Sequence, residues 1–133
     1  MRKVVNLIPF TIAGWVLRAL IMKYSLELFS TTAAITLHAT FGPIAFVMVM
    51  LWYFRLNEKL PPFQTALING AFVFILDVIV VAMALGEGFG IFYSFTALWL
   101  PLFLIILLTW ATGHFVAKGE AETVPPVPAN LAP

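Results

Sequence analysis

Long apolar segments recur along this sequence, and their length favours helices that cross a membrane. A helix needs about 20 apolar residues to span a hydrocarbon core of roughly 30 Å. Three segments meet this length, at residues 31–54, 63–85 and 91–115. A fourth, at about residues 4–22, is weaker because Pro9 and Arg18 interrupt its apolar character. The pattern predicts an all-α integral membrane protein, built as an antiparallel bundle of four transmembrane helices.

The overall composition supports the membrane assignment. Hydrophobic residues make up 62% of the chain and charged residues 10%, whereas a soluble domain holds about 45 to 50% apolar and about 25% charged residues. The formal net charge of +1 gives no basic surface for a phosphate backbone, so we predict no nucleic-acid partner. The chain has no cysteine, which excludes disulfides, thiolate metal sites and iron–sulfur clusters.

The distribution of basic residues predicts the orientation in the membrane. Connections between the predicted helices are short, so consecutive helices run in opposite directions. Basic residues gather on one side of this arrangement, at Arg2, Lys3, Arg55, Lys59 and Lys118. The positive-inside rule then places both termini in the cytoplasm, and we expect the membrane to be the cytoplasmic membrane of a prokaryote. The transmembrane domain covers residues 1–117, and residues 118–133 are expected to be a disordered, proline-rich tail.

Asp77 stands at the centre of the apolar run 71–83, where a carboxylate is costly. A charge at mid-helix costs about 2.5 to 3.5 kcal/mol and requires a partner, a hydrated cavity or a proton. Counted at about 1.5 Å per residue along their helices, Arg18, His38 and Asp77 reach a similar depth in the outer half of the membrane. Arg18 and His38 also lie on small-residue faces, which point into helix bundles. We therefore predict a buried site, formed by these three residues, that binds a ligand or a proton.

The fourth predicted helix enters at the same depth, and its first polar residues are assigned to this site: Tyr93, Ser94 and Thr96. Two prolines lie at the inner edge of the predicted site. Pro43, preceded by Gly42, and Pro101 each remove a backbone hydrogen bond, so we predict kinks in the second and fourth helices. The carbonyls that these prolines free favour a small hydrated cavity.

Metal and cofactor chemistry find little support in the sequence. His38 and His114 lie toward opposite membrane faces and cannot ligate one metal or haem within a single chain. We therefore predict no metal and no cofactor. A serine or threonine with His38 and Asp77 resembles a hydrolytic triad, but the sequence context of a nucleophile elbow is missing.

Three functions remain open at this stage. The first is a small transporter that binds an anionic or amphipathic solute, or relays protons, and that oligomerises because four helices enclose little volume. The second is a noncatalytic subunit of a larger membrane complex, in which Arg18 or Asp77 pairs with a charge on a partner helix. The third is a membrane enzyme that uses His38 and Asp77 as acid and base on a lipid-soluble substrate. The residues favour binding over catalysis, and a purely structural Arg18–Asp77 pair is the alternative to all three.

Overall fold

The structure is entirely helical in the part of the chain that it describes. This computed structural model describes residues 2–56, 59–84, 90 and 93–123. The α-helices are α1 (Arg2–Leu28), α2 (Thr31–Phe54), α3 (Pro62–Leu76) and α4 (Leu100–Thr123). A first π segment (Asp77–Ala84) continues α3, and a second π segment (Phe95–Trp99) precedes α4.

Four helical stretches of the described chain are long and apolar enough to cross a membrane. They are Arg2–Leu28, Thr31–Phe54, Pro62–Val80 and Phe95–Thr123. The prediction of an all-α protein with four potential membrane-spanning helices is confirmed at this level. The apolar length of each segment is the cause, because backbone groups in hydrocarbon must satisfy one another and a helix does so within one segment.

Two helix ends differ from the predicted ones. α1 continues to Leu28, past the predicted end at residue 22, and α2 begins almost directly after it. The turn is short because Ser30 caps α2, accepting a hydrogen bond from the Ala33 backbone nitrogen at 3.4 Å.

α4 extends to Thr123, so residues 118–123 of the predicted disordered tail are helical. Alanine, lysine and glutamate favour helix there, and Lys59 pairs with Glu120 at 2.6 Å. Residues 124–133, like the start of the fourth predicted helix at 91–92, lie outside the described residues.

The helices contact one another unevenly. α1 packs mainly against α2, α2 also packs against α4, and α4 packs against α3. α1 also contacts α3, over a shorter stretch of backbone than any of these three pairs. We call this line of contact the α1–α3 seam. Fewer backbone contacts at the seam mean that side chains carry most of its interactions.

The apolar core joins all four α-helices. Its members are Leu7, Phe46, Met50, Tyr53, Phe54, Val73, Leu102 and Ile105. Tyr53 is the one polar side chain of this cluster and is fully buried. Its hydroxyl donates to the Lys3 carbonyl at 3.4 Å and accepts from the Leu60 backbone nitrogen at 3.0 Å. The hydroxyl is therefore satisfied, as a buried polar group must be, and it fixes α1 to the connection that follows α2.

The two predicted kink residues lie in different settings. Pro43 is buried inside α2, which is helical from Thr31 to Phe54. Pro101 is the second residue of α4 and follows the second π segment directly. In that segment the Leu100 backbone nitrogen bonds to the Phe95 carbonyl, a wider turn than the α-helix makes. Bending of the helix axes at the two prolines stays a prediction.

Two glycines are expected to be essential for the approach of α4. A Cβ atom added at Gly70 would lie 2.5 Å from Ile106 Cγ1, and one at Gly113 would lie 2.5 Å from Phe54 Cζ. Because overpacking of this kind costs about 1 to 3 kcal/mol, Gly70→Ala and Gly113→Ala should each lower the free energy of unfolding by that amount. The measurement is equilibrium unfolding in mixed detergent micelles, followed by circular dichroism.

The matched control is Gly119→Ala. Among the described residues, no neighbouring atom lies within 4 Å of a Cβ built at Gly119, and alanine is the better helix former. This variant should be as stable as the parent or slightly more stable. Equal stability of all three variants would contradict the close packing of α4.

Candidate functional site

A buried ion pair connects α1 to the first π segment. Arg18 Nη2 lies 2.8 Å from Asp77 Oδ2, and the two residues are only 4% and 1% exposed. Neither charge is tolerable alone in a hydrocarbon environment, whereas each offsets the cost of the other. The structure thus gives Asp77 a partner within its own chain.

Trp15 completes the hydrogen bonding of Asp77. Its indole Nε1 donates to Asp77 Oδ1 at 2.9 Å, so each carboxylate oxygen accepts one hydrogen bond from α1. Trp15 was not among the residues predicted for the site. Its position three residues before Arg18 indicates that it lies on the same side of α1, because residues at i and i+3 are neighbours on a helix surface.

α2 contributes His38 and Gly42 to the same region. The Arg18 side chain crosses α2 at Gly42, where an added Cβ would lie 2.9 Å from Arg18 Cγ. His38 lies one helical turn earlier, is 6% exposed and lies beside Arg18. The side chain of Arg18 therefore runs between α1, α2 and the first π segment, and Gly42 provides the space for it.

Two buried nitrogen atoms of this cluster have no hydrogen-bond partner among the described residues. They are Arg18 Nη1 and His38 Nδ1. A buried polar atom without a partner costs about 1 to 3 kcal/mol, and such atoms are rare in native proteins. Arg18 Nη1 can only donate, whereas an imidazole nitrogen donates or accepts according to its protonation. The cluster therefore presents one fixed donor and one adaptable group.

The backbone around Asp77 departs from regular α-helix. The first π segment begins at Asp77 itself, and π segments are frequent at functional sites. Within the described residues, no Cα atom of this segment lies within 8 Å of a Cα atom of α1. The Trp15 and Arg18 side chains span this distance. Side chains rather than packed backbones therefore hold the seam together at Asp77.

A second polar layer crosses the seam two helical turns away. Thr11 Oγ1 donates to Asn69 Oδ1 at 2.8 Å, and Asn69 Nδ2 donates to Thr109 Oγ1 at 3.2 Å. All three side chains are 1% exposed or less. These hydrogen bonds satisfy Asn69 on both sides, so the layer fixes the packing of α1, α3 and α4 and offers no open group to a ligand.

Three residues assigned to the site from the sequence do not join it. Tyr93 is 93% exposed, and Thr96 is also exposed. Ser94 Oγ accepts a hydrogen bond from the Ala97 backbone nitrogen at 3.2 Å and so caps the second π segment. Depth along the helix was the only basis for assigning them, and depth does not determine the direction of a side chain.

No group of three or more His, Cys, Asp or Glu side chains that would suit a metal ion occurs within the described parts of the chain. Comparison of the chain with protein-family models, curated proteins and solved structures found no match. The geometry of the Arg18, His38 and Asp77 cluster is therefore the basis for a functional assignment.

Trp15→Phe is expected to destabilise the protein by about 1 to 3 kcal/mol, because it keeps the aromatic bulk and leaves one buried oxygen of Asp77 without its donor. The measurement is the free energy of unfolding in mixed micelles. Trp52→Phe is the matched control, since Trp52 is 71% exposed and should change stability by less than about 0.5 kcal/mol. Identical stability of the two variants would mean that the indole nitrogen contributes nothing.

Proposed function

We propose that this chain is a small polytopic membrane protein that binds an anionic or amphipathic solute between Arg18 and His38 and moves it across the membrane. In this proposal the four long helices form an antiparallel bundle, bent at Pro43 and Pro101, with both termini in the cytoplasm of a prokaryote. The basic residues on one side of the predicted bundle support this topology. Transport also implies that copies of the chain associate, because four helices enclose little volume.

Two buried nitrogens without a hydrogen-bond partner among the described residues, Arg18 Nη1 and His38 Nδ1, support the proposal. Asp77 holds Arg18 through Nη2 and leaves Nη1 as a donor without a partner among the described residues. A solute with an acceptor oxygen would satisfy Nη1 and could also meet His38 Nδ1, while the surrounding apolar side chains would receive an apolar substituent. A prepositioned donor of this kind favours binding, because the ion pair already holds the guanidinium in place.

The contacts of Asp77 favour this function over the two alternatives. Both carboxylate oxygens already accept a hydrogen bond, which leaves Asp77 poorly placed to act as a general base. The same contacts neutralise Asp77 within the chain, so a charged helix of a partner subunit is not required. Binding therefore accounts for more of the observed geometry than catalysis or subunit pairing.

The direct test is binding to the full chain in lipid nanodiscs, with Trp15 as the reporter. Replacing Trp52, Trp99 and Trp110 by phenylalanine leaves one indole, which lies 2.9 Å from Asp77. The probes are chloride, nitrate, acetate and the neutral acetamide, each titrated while the fluorescence of Trp15 is recorded. Saturable changes with at least one probe support the proposal, and no saturable change with any probe would overturn it.

Arg18→Lys separates binding from structure. Lysine keeps a positive charge for Asp77 but lacks the second nitrogen, so affinity for the bound probe should fall about 10- to 100-fold, the equivalent of a charged hydrogen bond. Arg55→Lys, at an exposed position, is the matched control and should leave affinity unchanged. Uptake of nitrate into proteoliposomes should likewise be abolished by Arg18→Ala, and normal uptake by this variant in its folded state would contradict transport through this site.

A further inference from the structure

We propose, building on the function above, that the site takes a monovalent oxyanion together with one proton, and that His38 holds this proton. The ligand class is a planar oxyanion such as a carboxylate or nitrate. The charges of the buried cluster support this assignment, together with the two nitrogens that have no hydrogen-bond partner among the described residues.

The charges of Arg18 and Asp77 already sum to zero before a solute binds. Arg18 and Asp77 form a neutral pair at 2.8 Å, and both are almost completely buried. An anion that entered alone would leave one uncompensated negative charge in a low-dielectric region, which is costly. One added proton restores neutrality, so the anion and the proton should bind together.

Among the described residues, one group that faces the site is a suitable acceptor for the proton. On α1, Arg18 faces the site, but its guanidinium is already charged. On the first π segment, Asp77 faces the site, but both of its carboxylate oxygens accept hydrogen bonds from α1. The second π segment, which packs against α2, has no titratable residue between Phe95 and Trp99. Lys23 and Glu27 are exposed at the end of α1. His38 remains, on α2 beside Arg18.

Protonation of His38 would supply a second donor to an oxyanion. In the charged imidazole both ring nitrogens carry a proton, so Nδ1 becomes a donor whichever neutral tautomer precedes it. Arg18 Nη1 on α1 and His38 Nδ1 on α2 are then two buried donors, neither of which has a partner among the described residues. No covalent bond forms or breaks in the solute, and the proton comes from the solution that supplies the anion.

The experiment uses nitrate and acetate as a matched pair of probes on the full chain in nanodiscs. Acetate is able to carry the proton itself, whereas nitrate is not, so nitrate reports on the protein alone. Binding is followed by Trp15 fluorescence, and the proton count by an indicator dye in weakly buffered solution. His38→Gln is compared with His114→Gln, which alters an exposed histidine far from the site.

With the parent chain and with His114→Gln, nitrate should bind with uptake of one proton, and its apparent association constant should fall about tenfold for each unit rise in pH. His38→Gln should lose nitrate binding at least tenfold, while acetate, which brings its own proton, should lose less. Nitrate binding without proton uptake would overturn this inference and leave the solute site intact, as would binding of acetamide alone. Absence of binding by every probe would overturn the proposed function as well.

Discussion

Removing either member of the buried ion pair is expected to lower the free energy of unfolding by about 3 to 5 kcal/mol. Arg18→Met would leave the Asp77 carboxylate buried without its counter-charge, and Asp77→Leu would leave the guanidinium in the same condition. The pair is 2.8 Å apart and almost fully buried, so little water reaches a charge that loses its partner. The measurement is equilibrium unfolding of each variant in mixed micelles.

The double variant Arg18→Met with Asp77→Leu should recover most of the lost stability. Replacement of a buried pair by apolar side chains of similar volume is often neutral or stabilising, since the desolvation cost of both charges disappears. Nitrate and acetate should nevertheless not bind to this variant. A double variant that is stable but inactive would separate the role of the pair in the site from its role in the fold, and additive losses of stability would contradict the pairing.

Asp77→Asn is expected to make anion binding independent of pH. Without the carboxylate, Arg18 carries an unbalanced positive charge, so an anion alone restores neutrality and His38 need not be protonated. Across three pH units the parent chain should lose about a thousandfold in nitrate affinity, whereas Asp77→Asn should change little. Nitrate should also raise the stability of Asp77→Asn more than that of the parent chain, because ligand binding stabilises the folded state.

Glu122→Gln is the control for this experiment, because it removes a carboxylate from an exposed position on α4. Its nitrate affinity should follow the pH dependence of the parent chain. A steep pH dependence that persists in Asp77→Asn would show that the proton does not serve to balance the charge of the site.

The parts of this fold that depend on apolar length were predictable from the sequence. Four helices followed from the number of consecutive apolar residues, because hydrocarbon leaves the backbone few alternatives. Equal depth and a small-residue face suggested that Arg18 and Asp77 belong to one site, but whether Asp77 would pair within the chain or with a partner helix was left open by the sequence. The ends of α1 and α4 were not predictable, because capping by Ser30 and pairing of Lys59 with Glu120 are local interactions outside the apolar pattern.

Side-chain direction accounts for the remaining differences. Trp15 was missed because its position three residues before Arg18 does not show whether the indole donates a hydrogen bond or only packs. Tyr93 and Thr96 were assigned by depth alone, and a π segment begins after residue 94, which changes the direction of the side chains around the helix axis. Hydropathy does not show where a π segment lies. Neither the direction of the Tyr93 and Thr96 side chains around the helix axis nor the irregular backbone at Asp77 could therefore be predicted.

The separation of α1 from the first π segment determines what protects the ion pair from its surroundings. Among the described residues, no Cα atom of the first π segment lies within 8 Å of a Cα atom of α1. The half-buried indole of Trp15 reaches across this distance to Asp77. Access to Asp77 therefore depends on the rotamers of the Trp15 and Arg18 side chains, which both bind the carboxylate, rather than on the parting of two helices. Such rotations occur far faster than helix movements, so we expect exchange of small molecules at Asp77 to be rapid on the timescale of any rearrangement of the bundle.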